Sequence, residues 1–124
     1  MNIKDAIRKW VPIINEKFGM REFDENCIRW FDDMEANGAT FEVYDDYYIV
    51  GAVNTDIYGN DCLFIFSCGN IGVKGFLAMQ ARIEQIARDH GCKYIMQGSV
   101  LDKRYNDFLI KRGYTAAHFR KEVF

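Results

Sequence analysis

The chain has 124 residues, with 18 acidic and 16 basic side chains and a formal net charge of −2. At this length we expect one domain, spanning residues 1–124, with a single hydrophobic core. The near balance of charge excludes a general nucleic-acid binder, which usually carries a basic excess or a basic stripe. Hydrophobic residues make up 49% and charged residues 27%, which is the balance of a globular protein in water.

The N-terminus predicts neither export nor membrane insertion. Its first ten residues, MNIKDAIRKW, carry four charges, and no apolar segment of signal-peptide or transmembrane length follows. We therefore expect a cytoplasmic protein without a membrane partner. The four cysteines form no C-x-x-C pair and the two histidines lie far apart. This spacing argues against zinc ligation, so we expect no metal and four reduced thiols.

Two helices are predicted at the start of the chain. Apolar residues recur at helical spacing over 3–18, where Pro12 either starts a second helical piece or kinks the first. Asp24 offers an N-cap for the next helix, which carries apolar residues from Cys27 to Met34. That helix is predicted to stop at Asn37-Gly38.

Three strands are predicted next. The sequence alternates around Phe41 and Val43, turns at Asp45-Asp46, and continues with the apolar run of residues 47–53. A second turn at residues 56–60 leads into the apolar run of residues 62–66. Strands joined by such short turns predict an antiparallel meander.

The rest of the chain predicts a helix, a strand, a helix and a final strand. Phe76, Met79 and Ile83 lie on one face of a helix that ends at His90-Gly91. The strand at residues 94–96 follows a helical crossover, so it should run parallel to the strand before that helix. Asp102 can cap a further helix that ends at Gly113, and the tail from Tyr114 is predicted as one strand or a bent pair. The fold class is therefore mixed α/β, with one sheet and helices on both faces.

This order of elements, together with three local sequences, resembles the GNAT acyltransferase superfamily, the acetyl-coenzyme A-dependent N-acetyltransferases. The segment 48–51 (YIVG) is similar to the start of a family strand. The segment 87–95 (ARDHGCKYI) is similar to the end of the central helix and the start of the strand that follows. The segment 108–114 (FLIKRGY) is similar to the closing motif L-Y-E-K-x-G-F. The resemblance implies a GNAT-like fold in which a meander is followed by a β-α-β crossover.

The resemblance also implies where a cofactor would bind. Family members hold the pyrophosphate of acetyl-coenzyme A on backbone amides of a Q/R-x-x-G-x-G/A motif at a strand-to-helix junction, where small residues leave the amides open. Here the junction is CGNIGVKGF, residues 68–76, with Ile71, Lys74 and Phe76 at the three motif positions. We expect Phe76 to obstruct the site, so that the coenzyme binds weakly. The implied cofactor-binding residues are Phe66, Ser67 and Cys68 for the thioester, and Gly69, Gly72, Lys74 and Gly75 for the pyrophosphate.

The catalytic residues implied by the resemblance are incomplete. Many family members use the tyrosine of the closing motif as general acid toward the coenzyme thiolate, and its counterpart here is Leu109. Tyr105 lies one helical turn earlier on the same face and is the candidate replacement, although packing is its plainer role. No general base is assigned: the carboxylates considered are Glu42, Asp45, Asp46 and Asp61. The hydroxyls of Ser67 and Ser99 could contact the pantetheine arm or satisfy backbone groups.

Two functions follow from these residues. The first is a GNAT-like acetyltransferase with a degenerate active site and weak or no catalysis, acting on an amine-bearing small molecule or protein. The alternative is a non-catalytic protein that keeps the fold and binds a protein partner through its aromatic side chains. Short GNAT-like chains with altered cofactor loops resemble phage proteins, including virion components, which would place the protein in a host cytoplasm or a virion. A dinucleotide-binding or redox role is disfavoured because G-x-G-x-x-G and C-x-x-C are both missing.

Overall fold

The computed structural model describes residues 2–17, 26–69, 72–97 and 103–115, together with 121 and 123, with the backbone alone at 14, 15, 26, 27, 67 and 68. Eight elements lie in these ranges, in the order that the sequence predicts. They are the helices α1 (Ile3–Lys17), α2 (Asn26–Ala36), α3 (Val73–Asp89) and α4 (Lys103–Lys111), and the strands β1 (Thr40–Val43), β2 (Tyr47–Thr55), β3 (Asp61–Gly69) and β4 (Tyr94–Met96).

The predicted helix ends are confirmed where the structure describes them. The Asn2 side chain caps α1 by accepting a hydrogen bond from the Asp5 amide at 2.9 Å. Helix α1 runs through Pro12, which therefore does not start a separate helix. Gly38, Gly91 and Gly113 follow α2, α3 and α4 with positive φ, because glycine enters the left-handed region without a steric penalty.

The four described strands form one sheet in the order β1-β2-β3-β4. The first three strands are antiparallel, with Phe41 opposite Val50 and Ile49 opposite Ser67. Strand β4 pairs with β3 in parallel, as expected for a strand that follows a helical crossover. The predicted meander and β-α-β crossover are thus confirmed.

Helices cover both faces of this sheet, as predicted. Successive strand residues point to opposite faces. Tyr47 and Ile49 of β2 pack with Met79 and Ile83 of α3 on one face. On the other face, Tyr48 and Val50 belong to a core with residues of α1 and α2, namely Ala6, Ile7, Trp10, Ile28 and Phe31. We call these the α3 face and the α1–α2 face.

Some predictions fall on residues that are not described. The proposed caps Asp24 and Asp102, the residue Ser99 and most of the predicted tail strand lie outside the described residues. Tyr114 and Thr115, at the start of that tail, are described and do not lie in a strand. No helix among the described residues is long and apolar enough to cross a membrane.

Candidate functional site

Strands β3 and β4 pair over only part of β3, and we call the strip along β3 beyond the end of that ladder, on its β4 side, the cleft. The parallel ladder runs from Cys62–Tyr94 to Phe64–Met96 and ends there. Strand β3 continues to Gly69 and stays paired with β2 along its whole length. Beyond Phe64, the β4 side of β3 therefore has no strand partner among residues 2–17, 26–69, 72–97 and 103–115.

The register shows which backbone groups of β3 point into this cleft. The Asp56 amide donates to the Asn60 carbonyl at 2.9 Å, which fixes the alternation of the β2–β3 ladder. In an antiparallel ladder every second residue pair is hydrogen-bonded, so the pairs Val50–Phe66 and Tyr48–Cys68 are hydrogen-bonded like Asp56–Asn60. The backbone N–H and C=O groups of Phe66 and Cys68 therefore point toward β2. Those of Ile65, Ser67 and Gly69 consequently point toward the cleft. The Lys93 amide confirms this parity, because it donates to the carbonyl of Asp61 at 2.8 Å on the β4 side.

The N-terminus of α3 lies just after β3 in the chain. Its cap is Gly72, and the first intrahelical hydrogen bond runs from the Phe76 amide to the Gly72 carbonyl at 2.9 Å. The amides of residues 73–75 precede that bond, so they have no partner within the helix. Lys74 is exposed in this first turn. The turn therefore presents backbone donors, the positive end of the helix dipole and one cation to the same region.

Gly69 and Gly72, both predicted to bind phosphate, are small for different reasons. A Cβ at Gly69 would overlap the backbone oxygen of Asp46 and two atoms of Tyr47, so the close approach of β2 requires glycine there. A Cβ at Gly72 would meet no atom within 4 Å, and its φ of −86° is open to any residue. Packing therefore accounts for Gly69 and leaves Gly72 without a structural requirement.

The Phe76 ring does not stand in front of the first-turn amides, contrary to our expectation. It is 5% exposed and belongs to the core on the α3 face. Its centroid lies 5.5 Å from those of Tyr105 and Phe108 in α4. The ring is directed inward because Phe76 shares a helix face with Met79 and Ile83, so it joins α3 to α4.

A polar network that the sequence did not predict lies behind Phe76. Gln80 of α3 is 0% exposed, and its amide oxygen accepts a hydrogen bond from Gln97 at 2.7 Å. Gln97 follows β4 directly, and it also donates to the Tyr114 hydroxyl at 2.7 Å. Tyr105 of α4 donates its phenolic proton to Gln97 at 2.8 Å. The network therefore joins α3, the end of β4, α4 and the segment after α4.

Tyr105, the candidate general acid, and Leu109, the counterpart of the family tyrosine, both pack toward α3. Leu109 is 3% exposed within the core on the α3 face, and Tyr105 packs against that core half-buried. The phenol of Tyr105 would have to leave Gln97 before it could protonate a thiolate. Burial raises the pKa of the nearby Tyr114 phenol, which keeps it protonated at neutral pH.

Two of the candidate bases are engaged in other contacts. Arg82 of α3 forms a bidentate pair with Glu42 of β1, with N–O distances of 2.7 and 2.6 Å. The hydrogen bonds from Arg82 lower the pKa of Glu42, which weakens it as a base. Asp61 accepts a hydrogen bond from Thr55 at 2.7 Å, next to the β2–β3 turn. Asp45 and Asp46 are exposed in the β1–β2 turn, so no general base is assigned in the described chain.

A cavity of about 870 Å³ lies at the other end of β3, away from the N-terminus of α3. It is lined by the β2–β3 turn, the last turn of α3, β4 and residues 112–115. Cys62 and Cys92 lie there as free thiols, and burial raises the pKa of both. Of the cofactor-binding residues predicted from the sequence, none whose side chain is described lines this cavity. Within the described ranges, no group of three or more metal-ligating side chains comes together.

Comparisons with known proteins agree with this architecture at the level of the fold. No protein-family model and no curated protein matches the sequence. A candidate acetyl transferase from Pyrococcus furiosus superposes with a TM-score of 0.78 at 16% identity, over 98% of this chain and 92% of that one. An acetyltransferase from Trypanosoma brucei gives 0.65 at 13% identity, over 100% and 95% of the two chains. A third structure, described as a probable acetyltransferase, gives 0.62 at 10% identity, over 89% and 83%. The protein therefore has an acetyltransferase-like, GNAT-like fold.

Proposed function

We propose that the protein binds acetyl-coenzyme A in the cleft between β3 and β4 and transfers its acyl group to an amine at most slowly. The observation that carries this proposal is the early end of the β3–β4 ladder at Phe64–Met96, while β3 continues to Gly69. A cleft of this kind offers backbone donors and acceptors along one wall and a helix N-terminus at one end. The similar fold of proteins described as acetyltransferases supports acetyl transfer as the reaction.

The coenzyme would be held mainly by backbone groups. The amides of residues 73–75 and the ammonium of Lys74 would bind the pyrophosphate, and the open site at Gly72 would let it approach. Ser67 would contact the pantetheine arm through its peptide group, since that group points into the cleft. The peptide groups of Phe66 and Cys68 pair with β2, so in this proposal they support the wall rather than touch the coenzyme. We expect weak affinity because Ile71 stands where the family motif has glutamine or arginine, and its side chain offers the phosphates no polar group.

Slow transfer follows from the residues near α4. A positioned general acid typically contributes about 10²- to 10⁴-fold in rate. Leu109 cannot donate a proton, and Tyr105 is bonded to Gln97 at 2.8 Å. The departing thiolate would therefore take its proton mainly from water. The acceptor amine would also lose its proton to water, because the described carboxylates supply no assigned base.

Isothermal titration with acetyl-coenzyme A up to millimolar concentration tests the binding. We expect a dissociation constant near 1 mM, equivalent to about −4 kcal/mol. Lys74→Ala should weaken binding further, whereas Lys93→Ala, which changes an exposed lysine at the far end of the sheet, should not. Absence of binding at several millimolar would refute the proposal. A low-micromolar constant together with amine-dependent release of coenzyme A would instead show an intact enzyme.

The alternative, a non-catalytic protein that binds a protein partner, is favoured by one observation. Ile57 and Tyr58 at the tip of the β2–β3 hairpin are 91% and 82% exposed. Two large apolar side chains at one exposed tip are a common feature of contact surfaces. Under this alternative, Ile57→Ser should abolish capture of the partner and leave coenzyme binding unchanged. Coenzyme-dependent acyl transfer by the parent protein would count against it.

A further inference from the structure

Four aromatic side chains form a row that runs from the core to the surface on the α1–α2 face. Phe31 lies edge-on to Tyr48 with centroids 6.1 Å apart, Trp30 lies 4.6 Å from Phe31, and Phe66 lies 5.0 Å from Trp30. Tyr48 and Phe31 are 4% and 8% exposed, whereas Trp30 and Phe66 are 39% and 41% exposed. The row therefore has a buried end and an open end, and we call the open end the Trp30–Phe66 pair.

The Trp30–Phe66 pair borders the cleft on the side away from α3. Phe66 is the cross-strand partner of Val50, and Val50 belongs to the core on the α1–α2 face. Directly paired residues share a face of the sheet, so the Phe66 ring lies on that face too. Its chain neighbours Ile65 and Ser67 turn their peptide groups into the cleft. A molecule seated on the pair would therefore meet the edge of the cleft opposite the first turn of α3.

We propose that the Trp30–Phe66 pair is the acceptor-binding surface and that the acceptor is a cationic amine with an aromatic group. This inference rests on the proposed function. A coenzyme with its phosphates at the N-terminus of α3 occupies the α3 side of the cleft. The second reactant then reaches the thioester from the α1–α2 face. There the ammonium first gives one proton to water, and the resulting neutral amine attacks the thioester carbonyl. A C–N bond forms, the C–S bond breaks, the nitrogen gives its second proton to water, and the sulfur leaves as a thiolate that takes a proton from water.

The chemistry of this surface favours an amine that carries an aromatic group over an amine without one. An aromatic group placed on exposed rings gains a ring–ring attraction in addition to the apolar area that it buries. A nearby ammonium gains a further cation–π attraction from the same rings. The described side chains of α2 carry three carboxylates and one guanidinium. Asp33 follows Trp30 by three positions and so lies on the same side of the helix, while Asp32 is already paired with Lys4 at 2.8 Å.

Tryptophan fluorescence gives a direct test that needs no coenzyme. Trp10 is only 6% exposed, so an external ligand at the pair should quench Trp30 selectively. The probes are 2-phenylethylamine, ethanolamine as the amine without a ring, and 2-phenylethanol as the ring without an amine. We expect saturable quenching by 2-phenylethylamine, with at least tenfold weaker effects of the other two. Equal quenching by ethanolamine would overturn the inference.

Variants locate the binding. Phe66→Ala should weaken 2-phenylethylamine about tenfold, and Tyr58→Ala, which removes an equally bulky exposed ring at the hairpin tip, should leave the affinity unchanged. Trp30→Phe keeps a ring in place and should retain binding by calorimetry while it removes the fluorescence signal. Circular dichroism melts show that each variant is folded. An unchanged affinity in folded Phe66→Ala would refute the assignment.

The two proposals fail in different ways. If acetyl-coenzyme A binds and 2-phenylethylamine does not, the acceptor inference is wrong and the proposed function stands. If 2-phenylethylamine binds at the pair and acetyl-coenzyme A does not, the proposed function is wrong, and with it the role of the amine as acceptor. If both bind, acyl transfer to 2-phenylethylamine should exceed transfer to ethanolamine, and Phe66→Ala should reduce that preference through KM.

Discussion

Gly69 and Gly72 offer a way to separate a structural glycine from a ligand-binding one. In Gly69→Ala the new Cβ would lie 2.6 Å from the Tyr47 Cα and closer still to the Asp46 carbonyl oxygen and the Tyr47 Cβ. Carbon atoms in contact normally lie about 3.5–4.0 Å apart. Two of these three neighbours are backbone atoms that cannot rotate away, so either β2 or β3 must shift. We therefore expect the upper part of the overpacking range, about 2–3 kcal/mol.

Gly72→Ala is the matched control. No atom lies within 4 Å of its new Cβ, so the free energy of unfolding should change by less than about 0.5 kcal/mol. For a domain of this size each kcal/mol shifts the melting temperature by about 4 °C, so Gly69→Ala should melt about 8–12 °C below the parent. Differential scanning calorimetry of the three proteins measures both effects.

A third variant, Gly72→Val, tests the coenzyme site. If the phosphates approach the first turn of α3 through the open position at Gly72, as proposed, a branched side chain there should hinder them. Gly72→Val should then weaken acetyl-coenzyme A at least threefold while the melt stays near that of Gly72→Ala. The reasoning is refuted if Gly69→Ala melts with the parent, because the β2–β3 approach would then not be tight. The proposed approach of the coenzyme phosphates past Gly72 is refuted if Gly72→Val binds acetyl-coenzyme A as tightly as the parent does.

Three further predictions concern the α3 face. Glu42→Gln should cost about 1 kcal/mol at pH 7, since Arg82 is partly exposed. Because the pKa of Glu42 is lowered in the fold, this stabilisation is fully present above its unfolded-state pKa and is lost as the pH falls through its folded-state pKa. Urea melts of parent and variant should therefore differ at neutral pH and converge once the pH is below the folded-state pKa. Leu109→Tyr should lower the free energy of unfolding by about 1–3 kcal/mol through overpacking and leave coenzyme A release at background. A thermal melt and a thiol assay measure the two effects, and a rise in turnover would contradict the prediction. Gln97→Leu should cost about 1–3 kcal/mol because the buried amide oxygen of Gln80 loses its donor. The double variant with Gln80→Leu should lose less stability than the sum of the two single variants in a double-mutant cycle.

Much of the fold could be predicted because it depends on local patterns. The change from helical spacing to alternation after Gly38 marks the start of the sheet, and the turns at 45–46 and 56–60 fix how its first three strands pair. The prediction that Phe76 obstructs the phosphate site was wrong, and the reason can be named. The motif comparison placed it at the phosphate, while its spacing to Met79 and Ile83 already predicted a core position. Helical period, which reflects burial, was the better guide there.

The polar network and the direction of the β3 peptide groups could not be predicted from sequence. Gln80 and Gln97 are 17 positions apart, and a glutamine on an otherwise apolar helix face carries no signal that it has a buried partner. The peptide groups of Phe66 and Ser67 point to opposite sides only because of the β2–β3 register. A shift of that register by one residue would exchange their roles. Both features depend on tertiary pairing rather than on local preference.

The difference in length between the β2–β3 and β3–β4 ladders also determines which part of the fold unfolds locally most easily. Strand β2 pairs with all nine residues of β3, whereas β4 is only three residues long. Among the described strands, β4 therefore has the fewest ladder hydrogen bonds. Native-state hydrogen exchange should therefore find β4 and α4 opening together at a lower free energy than the β1–β3 meander. A ligand that bridges β3 and the end of β4 would close this weak seam, and the slowed exchange of the Tyr94–Met96 amides would record its binding even where no catalysis follows.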